Sequence, residues 1–286
     1  MSRLHLSILL LLFALLAAGG AMKHAVVVAT AAEPLVIGQT FTIQSKVLDE
    51  TRRLNVYLPP AYTDSATLRL PVLYMPDGGM QEDFLHVAGL VQVLVGNGTM
   101  RPFVLVGIEN TQRRRDLTGP TTNAKDREIA LQVGGSAAYR QFIREELMPE
   151  VRRRYRTTAE TAIVGESLAG LFVVETLLLE PTLFDTCLAF DPSLWWNNGQ
   201  LAAQAGPLPK APAGKTRQVY LATSSQGDIK ATRQLAKVLN SGSAPAATCH
   251  YEHLPQETHA TIYHPAALKA LRVVFGPRAE QAGSGQ

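Results

Sequence analysis

Cysteine is almost missing from this 286-residue chain: Cys187 and Cys249 are all it has. So few exclude the disulfide framework that holds small secreted domains together. Both stand in apolar, strand-like stretches that a parallel sheet holds apart, so they read as buried free thiols. Excess charge of one sign is also missing. The 27 Lys and Arg face 24 Asp and Glu, a formal balance of +3 that gives no reason to expect a nucleic-acid partner. Internal repeats and linkers are absent, which excludes a repeat array and points to one domain. No apolar run reaches the roughly 20 residues that a membrane span needs.

The longest apolar run comes first. Arg3 and His5 precede Leu6 to Ala18, and small residues follow to Ala21. A charged start, an apolar centre and a small-residue end make a secretory signal. Cleavage is expected between residues 21 and 32, near Ala18-Gly19-Gly20-Ala21 or after Ala29-Thr30-Ala31. No cysteine lies there to carry a lipid anchor. Residues 1–31 are therefore assigned to the signal, and the product is expected to be periplasmic or secreted, with no membrane attachment after cleavage. Their removal takes away Arg3 and Lys23 and no acid, leaving a balance of +1.

What remains is rich enough to fold as one unit, since 46% of the chain is hydrophobic. Phe41 to Leu48 and Arg53 to Leu58 alternate apolar and polar residues around Asp49-Glu50-Thr51, the pattern of an antiparallel hairpin. The pattern then changes to continuous apolar strands alternating with amphipathic helices. Strands are expected at 72–75, 103–108, 162–164, 187–190, 218–222 and 247–253, and helices near 84–95, 137–153, 168–179, 228–239 and 266–275. Such alternation builds a mostly parallel, doubly wound α/β sheet covered on both faces. The domain is expected to span 33–277, followed by a disordered tail at 278–286 that is rich in Gly, Ala and Gln.

The chemistry is concentrated at 161–179. Thr161-Ala162-Ile163-Val164 reads as a buried strand, Gly165-Glu166-Ser167-Leu168-Ala169-Gly170 as a sharp turn, and Leu171 onward as a buried helix. This is the setting of a G-x-S-x-G nucleophile elbow, with Ala169 in the last glycine's place. A serine nucleophile needs a base, and the base needs an acid to orient it. Of the histidines that follow, His250 and His253 fall in a strand pattern and His264 begins a helix. His259 alone sits in a loop between the last strand and the last helix, and it is the expected base. Asp228 follows the preceding strand and is the expected acid, although it also stands where an N-cap aspartate would. Glu257 is its rival. The oxyanion hole is assigned to the N–H groups of Leu168 and Gly79, with Gly78 as the alternative to Gly79. Two loops open on the same carboxyl edge. The stretch 110–135 carries Arg113, Arg114 and Arg115, and 191–200 carries Trp195 and Trp196. Arg113, Arg115, Trp195 and Trp196 are the expected substrate contacts. No metal or organic cofactor is expected.

Taken together these stretches resemble the putative-esterase branch of the α/β-hydrolases, the group of enterochelin (siderophore) esterases, esterase D and mycolyltransferases. The resemblance runs from Ile37 to Phe275. It is carried by Tyr74 to Gly79, Asn110-Thr111 with Arg113 to Thr118, Gly134-Gly135, Glu146 to Pro149, Gly165 to Gly170, Asp191 to Trp196 and the His259 loop. The chain departs from that branch at Ala169 for glycine, Glu166 where histidine is frequent and Asp191 where serine is frequent. The resemblance implies an ester hydrolase with Ser167 as nucleophile, His259 as base, and Gly79 and Leu168 as oxyanion donors, acting on a small-molecule siderophore-like, aryl or acyl ester. The same machinery would serve an acyltransferase, and the fold alone would serve a binding protein.

Overall fold

The computed structural model describes residues 31–209, 217–241 and 247–277. Residues 1–30 of the expected signal and the expected tail at 278–286 lie outside the described residues. The chain divides at Val36, and the unit that begins at Ile37 holds every described strand and helix. Among the described residues no helix is long and apolar enough to cross a membrane.

The alternating residues pair as a hairpin, β1 (Gln39–Ser45) antiparallel to β2 (Glu50–Tyr57), with Asp49 taking a positive φ in the turn. The remaining strands are β3 (Leu70–Pro76), β4 (Val104–Ile108), β5 (Thr157–Glu166), β6 (Thr186–Phe190), β7 (Arg217–Ser224) and β8 (Ala247–Leu254). They form one eight-stranded sheet in the order β1-β2-β4-β3-β5-β6-β7-β8. β2 meets β4 antiparallel, and every pairing from β4 to β8 is parallel. The sheet is therefore mixed, with its antiparallel part confined to the N-terminal edge.

Two apolar layers explain why the central strands read as unbroken hydrophobic runs. Successive side chains point to opposite faces. Val72 and Tyr74 of β3 enter one cluster, Leu73 and Met75 the other. Helices α1 (Phe84–Gly96) and α5 (Tyr263–Phe275) cover the second face. On the first lie α2 (Ser136–Arg154), α3 (Leu168–Leu179) and α4 (Ile229–Leu239). Fully burying a Leu, Val or Phe stabilises a fold by about 1.5–3 kcal/mol, so these layers dominate its stability. α2 departs from the regular helix expected at 137–153, because Ile143–Leu147 widen into a π-turn just before Pro149. Proline offers no N–H and crowds the carbonyl four residues back, which the wider turn relieves. The turn also presents Glu146 to the hairpin, where it accepts hydrogen bonds from Ser45 Oγ (2.5 Å) and Lys46 N (2.9 Å).

At the carboxyl edge the strands end on strained residues. Asp77 after β3 (φ 56°), Ser167 after β5 (φ 60°) and Asp191 after β6 (φ 39°) all adopt positive φ without being glycine. Such conformations cost about 1–3 kcal/mol each and persist where the surroundings over-determine them.

Candidate active site

Ser167 sits at the corner between β5 and α3 with ψ −121°. Its N–H donates to Phe190 O (3.0 Å), and its carbonyl accepts from Leu171 N (2.9 Å) and Ser193 N (3.1 Å). The backbone is thus fixed from both sides while the side chain stays out at the edge. Gly165 makes the corner possible, since a Cβ there would lie 2.6 Å from Ala169 C and 2.8 Å from Ala169 Cβ. The methyl group of Ala169 fits because Gly165 opposite it has none.

Ser167 Oγ lies within hydrogen-bond distance of His259 Nε2, at 3.0 Å. His259 lies in the loop between β8 and α5, and its N–H donates to Gln226 Oε1 (3.0 Å). That loop is tied to the loop after β7 by Ser225, whose N–H and hydroxyl both donate to Glu257 O. On the far side of the ring, His259 Nδ1 lies 3.1 Å from Asp191 Oδ2.

The acid beside His259 is therefore Asp191, and the expectation placed on Asp228 is corrected. Asp228 Oδ1 accepts from Ala231 N (3.2 Å) as the N-cap of α4, so its carboxylate is committed to the helix. Glu257 accepts instead from Thr261 Oγ1 (2.6 Å). Asp191 reaches the ring because β6 delivers it against the end of β7. Its N–H donates to Ala222 O (2.9 Å), Ser224 N donates to Oδ1 (2.6 Å) and Ser224 Oγ to Oδ2 (2.5 Å). A Cβ on Gly227 would fall 2.1 Å from Asp191 Oδ1, so the small loop after β7 leaves room for this carboxylate. Burial works to raise the Asp191 carboxyl, but the bonds from His259 and Ser224 outweigh it and hold it below its ordinary value. The bond from Asp191 in turn raises His259 above its ordinary value, against partial burial.

The oxyanion side holds a second finding. Gly78 N donates to Ile108 O (3.0 Å), which removes it as a donor, and Asn55 Nδ2 holds its carbonyl (2.8 Å). Gly79 N donates to Glu82 Oε2 (2.6 Å) while Glu82 N donates back to Gly79 O (3.0 Å). Glu82 thus reaches back across the turn that precedes α1. The expected donor is therefore engaged by Glu82. Leu168, at the first position of α3, offers the other N–H, one of the donors that a helix N-terminus leaves without an intrahelical partner.

The arginines are paired. Arg113 makes a bidentate contact to Asp77 (2.7 and 2.8 Å), and Asn110 joins Asp77 to Glu82. Arg115 donates to Glu50 (2.7 Å) and to the buried Asp116 (2.6 Å), which also binds Arg52, so its guanidinium serves the fold. The two still line an open cleft of about 450 Å³ with Arg114 and Leu131. Trp196 is not at the surface expected for a substrate contact. It is buried in the core, and its Nε1 donates to Gly119 O (2.9 Å), fastening the loop after β6 to the one after β4. Trp195 stands half exposed beside it, ring centroids 6.0 Å apart.

Sequence reasoning gave no role to Asp191, Glu82 or Glu166. Asp191 had a signal in its place directly after an unbroken buried strand. Glu82 had one in its spacing, three residues beyond Gly79.

A mostly parallel eight-stranded sheet with a serine at a strained strand-to-helix corner is the α/β-hydrolase fold. Residues 45–250 match the model of the Putative esterase family, and the chain belongs to that family. It is 31% identical over 169 residues to the ferri-bacillibactin esterase BesA of Bacillus subtilis, covering 52% of this chain and 56% of that protein. It is 30% identical over 162 residues to the siderophore triacetylfusarinine C esterase of Aspergillus fumigatus, covering 51% and 52%. The chain thus spans about half the length of these curated relatives. Among solved structures, an IroE-like serine hydrolase from Shewanella oneidensis aligns with TM-score 0.69 and 27% identity, over 83% of this chain and 80% of that one.

Proposed function

We propose that this protein is a serine carboxylic-ester hydrolase of the siderophore-esterase type, working through Ser167, His259 and Asp191. One observation carries the reading: the unbroken chain from Ser167 Oγ to His259 Nε2 (3.0 Å) and from His259 Nδ1 to Asp191 (3.1 Å). His259 takes the Ser167 proton as the hydroxyl attacks the ester carbonyl, and Asp191 stabilises the imidazolium that forms. The tetrahedral oxyanion is held by Leu168 N–H and, once Glu82 releases it, by Gly79 N–H. The alkoxide then departs with the proton from His259 Nε2. Water, activated by the same ring, hydrolyses the acyl-Ser167 ester and restores the free hydroxyl. The siderophore substrate class is supported by the named activities of the relatives. Export, periplasmic or secreted, is supported by the signal pattern at residues 1–31.

The test is covalent. A fluorophosphonate should label Ser167 alone, and Ser167→Ala should lose both labelling and hydrolysis of p-nitrophenyl acetate and of bacillibactin while keeping its melting temperature. Unlabelled wild-type protein, or an active Ser167→Ala, would contradict the reading.

A further inference from the structure

Glu166 is the residue before the nucleophile, at the last position of β5. Its Oε1 is buried and has no hydrogen-bond partner. It lies 3.3 Å from His259 Nε2, the nitrogen that also stands 3.0 Å from Ser167 Oγ. The ring is therefore flanked by two carboxylates, Asp191 on Nδ1 and Glu166 on Nε2. The charged groups facing this pair come from every neighbouring element: Asp191 after β6, Asp77 after β3, and Arg113 after β4, the last held bidentate by Asp77. Asp191 is locked by Ser224, and Arg113 is offset by Asp77, so among the described residues Glu166 is the partner of the ring with an uncommitted buried oxygen.

We propose that Glu166 is a positioning residue that holds the proton on His259 Nε2 in the free enzyme and so sets the pH at which the base becomes available. The inference rests on the Ser167–His259 hydrolase reading. Nε2 can accept the Ser167 proton only when its lone pair is free. An Nε2–H directed at the Glu166 carboxylate occupies that lone pair, and the proton must leave to solvent before catalysis begins. After attack the same carboxylate faces the new Nε2–H and stabilises the imidazolium. Glu166 thus trades activity at low pH for stabilisation of the charged ring during the reaction. The balance of effects on the two groups agrees. Burial pushes the Glu166 carboxyl up to about 7, against the pull of His259 and Arg113. The Asp191 bond raises His259, and the Glu166 charge adds to that against partial burial.

The experiment compares wild type, Glu166→Gln and Glu166→Asp in two readouts. In the first, kcat/KM for p-nitrophenyl acetate is followed from pH 5 to 9. The acid limb of Glu166→Gln should move down by about one pH unit, the scale of an opposite charge within 4–6 Å. That raises activity near pH 7, where the wild-type carboxylate is ionised, by several-fold relative to each enzyme's own plateau. Glu166→Asp, which keeps the charge and draws it back, should fall between. In the second, the His259 imidazole is titrated by NMR in a Ser167→Ala background, where its apparent pKa should fall by the same amount on Glu166→Gln. A limb and a ring titration that stay put or move upward would overturn the proposal, as would a uniform loss of activity at every pH. The NMR arm needs no turnover, so failure of the hydrolase reading would be seen separately.

Discussion

At the scale of single residues, Asp191 and Asp228 separate what the sequence could tell from what it could not. Asp228 stands at a helix start, and its N-cap role is decided by a local hydrogen bond to Ala231 N. Asp228→Ala should cost about 1 kcal/mol in urea denaturation, the usual cost of losing an aspartate cap, and leave turnover unchanged. A loss of turnover of two orders of magnitude or more would restore it to the active site. Asp191 could not be chosen from the sequence because its role depends on a non-local meeting with Ser224 and His259, 33 and 68 residues away. Ser167 and His259 were legible because a turn motif and a loop position are local features. Trp196 was misplaced for the opposite reason. Its loop does lie past a strand end, but Gly119 claims the indole N–H and the core claims the ring.

At the scale of elements, the turn from β5 into α3 and the turn from β3 into α1 are both built on close backbone approach. Gly165→Ala would drive a methyl group against the backbone of Ala169, which cannot yield as a flexible side chain would. It should destabilise the fold by about 1–3 kcal/mol, as overpacking in a close-packed core does. A change under about 0.5 kcal/mol by thermal melting would mean that the corner is looser than its geometry. On the other turn, Glu82 competes with any oxyanion for Gly79 N–H. Glu82→Ala should tighten binding of an alkyl boronic acid several-fold, since the competing bond is worth about 0.5–1.5 kcal/mol net. Weaker binding would show that Glu82 keeps the turn in shape for the ligand. The helices themselves were readable to within a few residues from their apolar periodicity. The π-turn at Ile143–Leu147 was not, because it answers a single proline inside that pattern.

At the scale of the whole molecule, the sheet order explains both the thiols and the site. Cys187 on β6 and Cys249 on β8 are separated by β7, and both are free and buried. Burial pushes each thiol up to about 12. An Ellman assay without reductant should therefore count two thiols after unfolding and almost none in the native protein. The alternation of strands and helices made this sheet legible, whereas the order of its edges and the strand that carries the acid follow from packing. The ends of β5, β6 and β8 bring Ser167, Asp191 and His259 together, and the central claim is that these three act as one unit. Turnover of Asp191→Asn on an aryl ester, measured beside Asp228→Asn, tests it most directly. The account predicts that turnover falls by about 10³–10⁴ in Asp191→Asn, the scale seen when a triad aspartate becomes an amide, with Asp228→Asn near wild type. A nearly unchanged Asp191→Asn, or a comparable loss in Asp228→Asn, would contradict it.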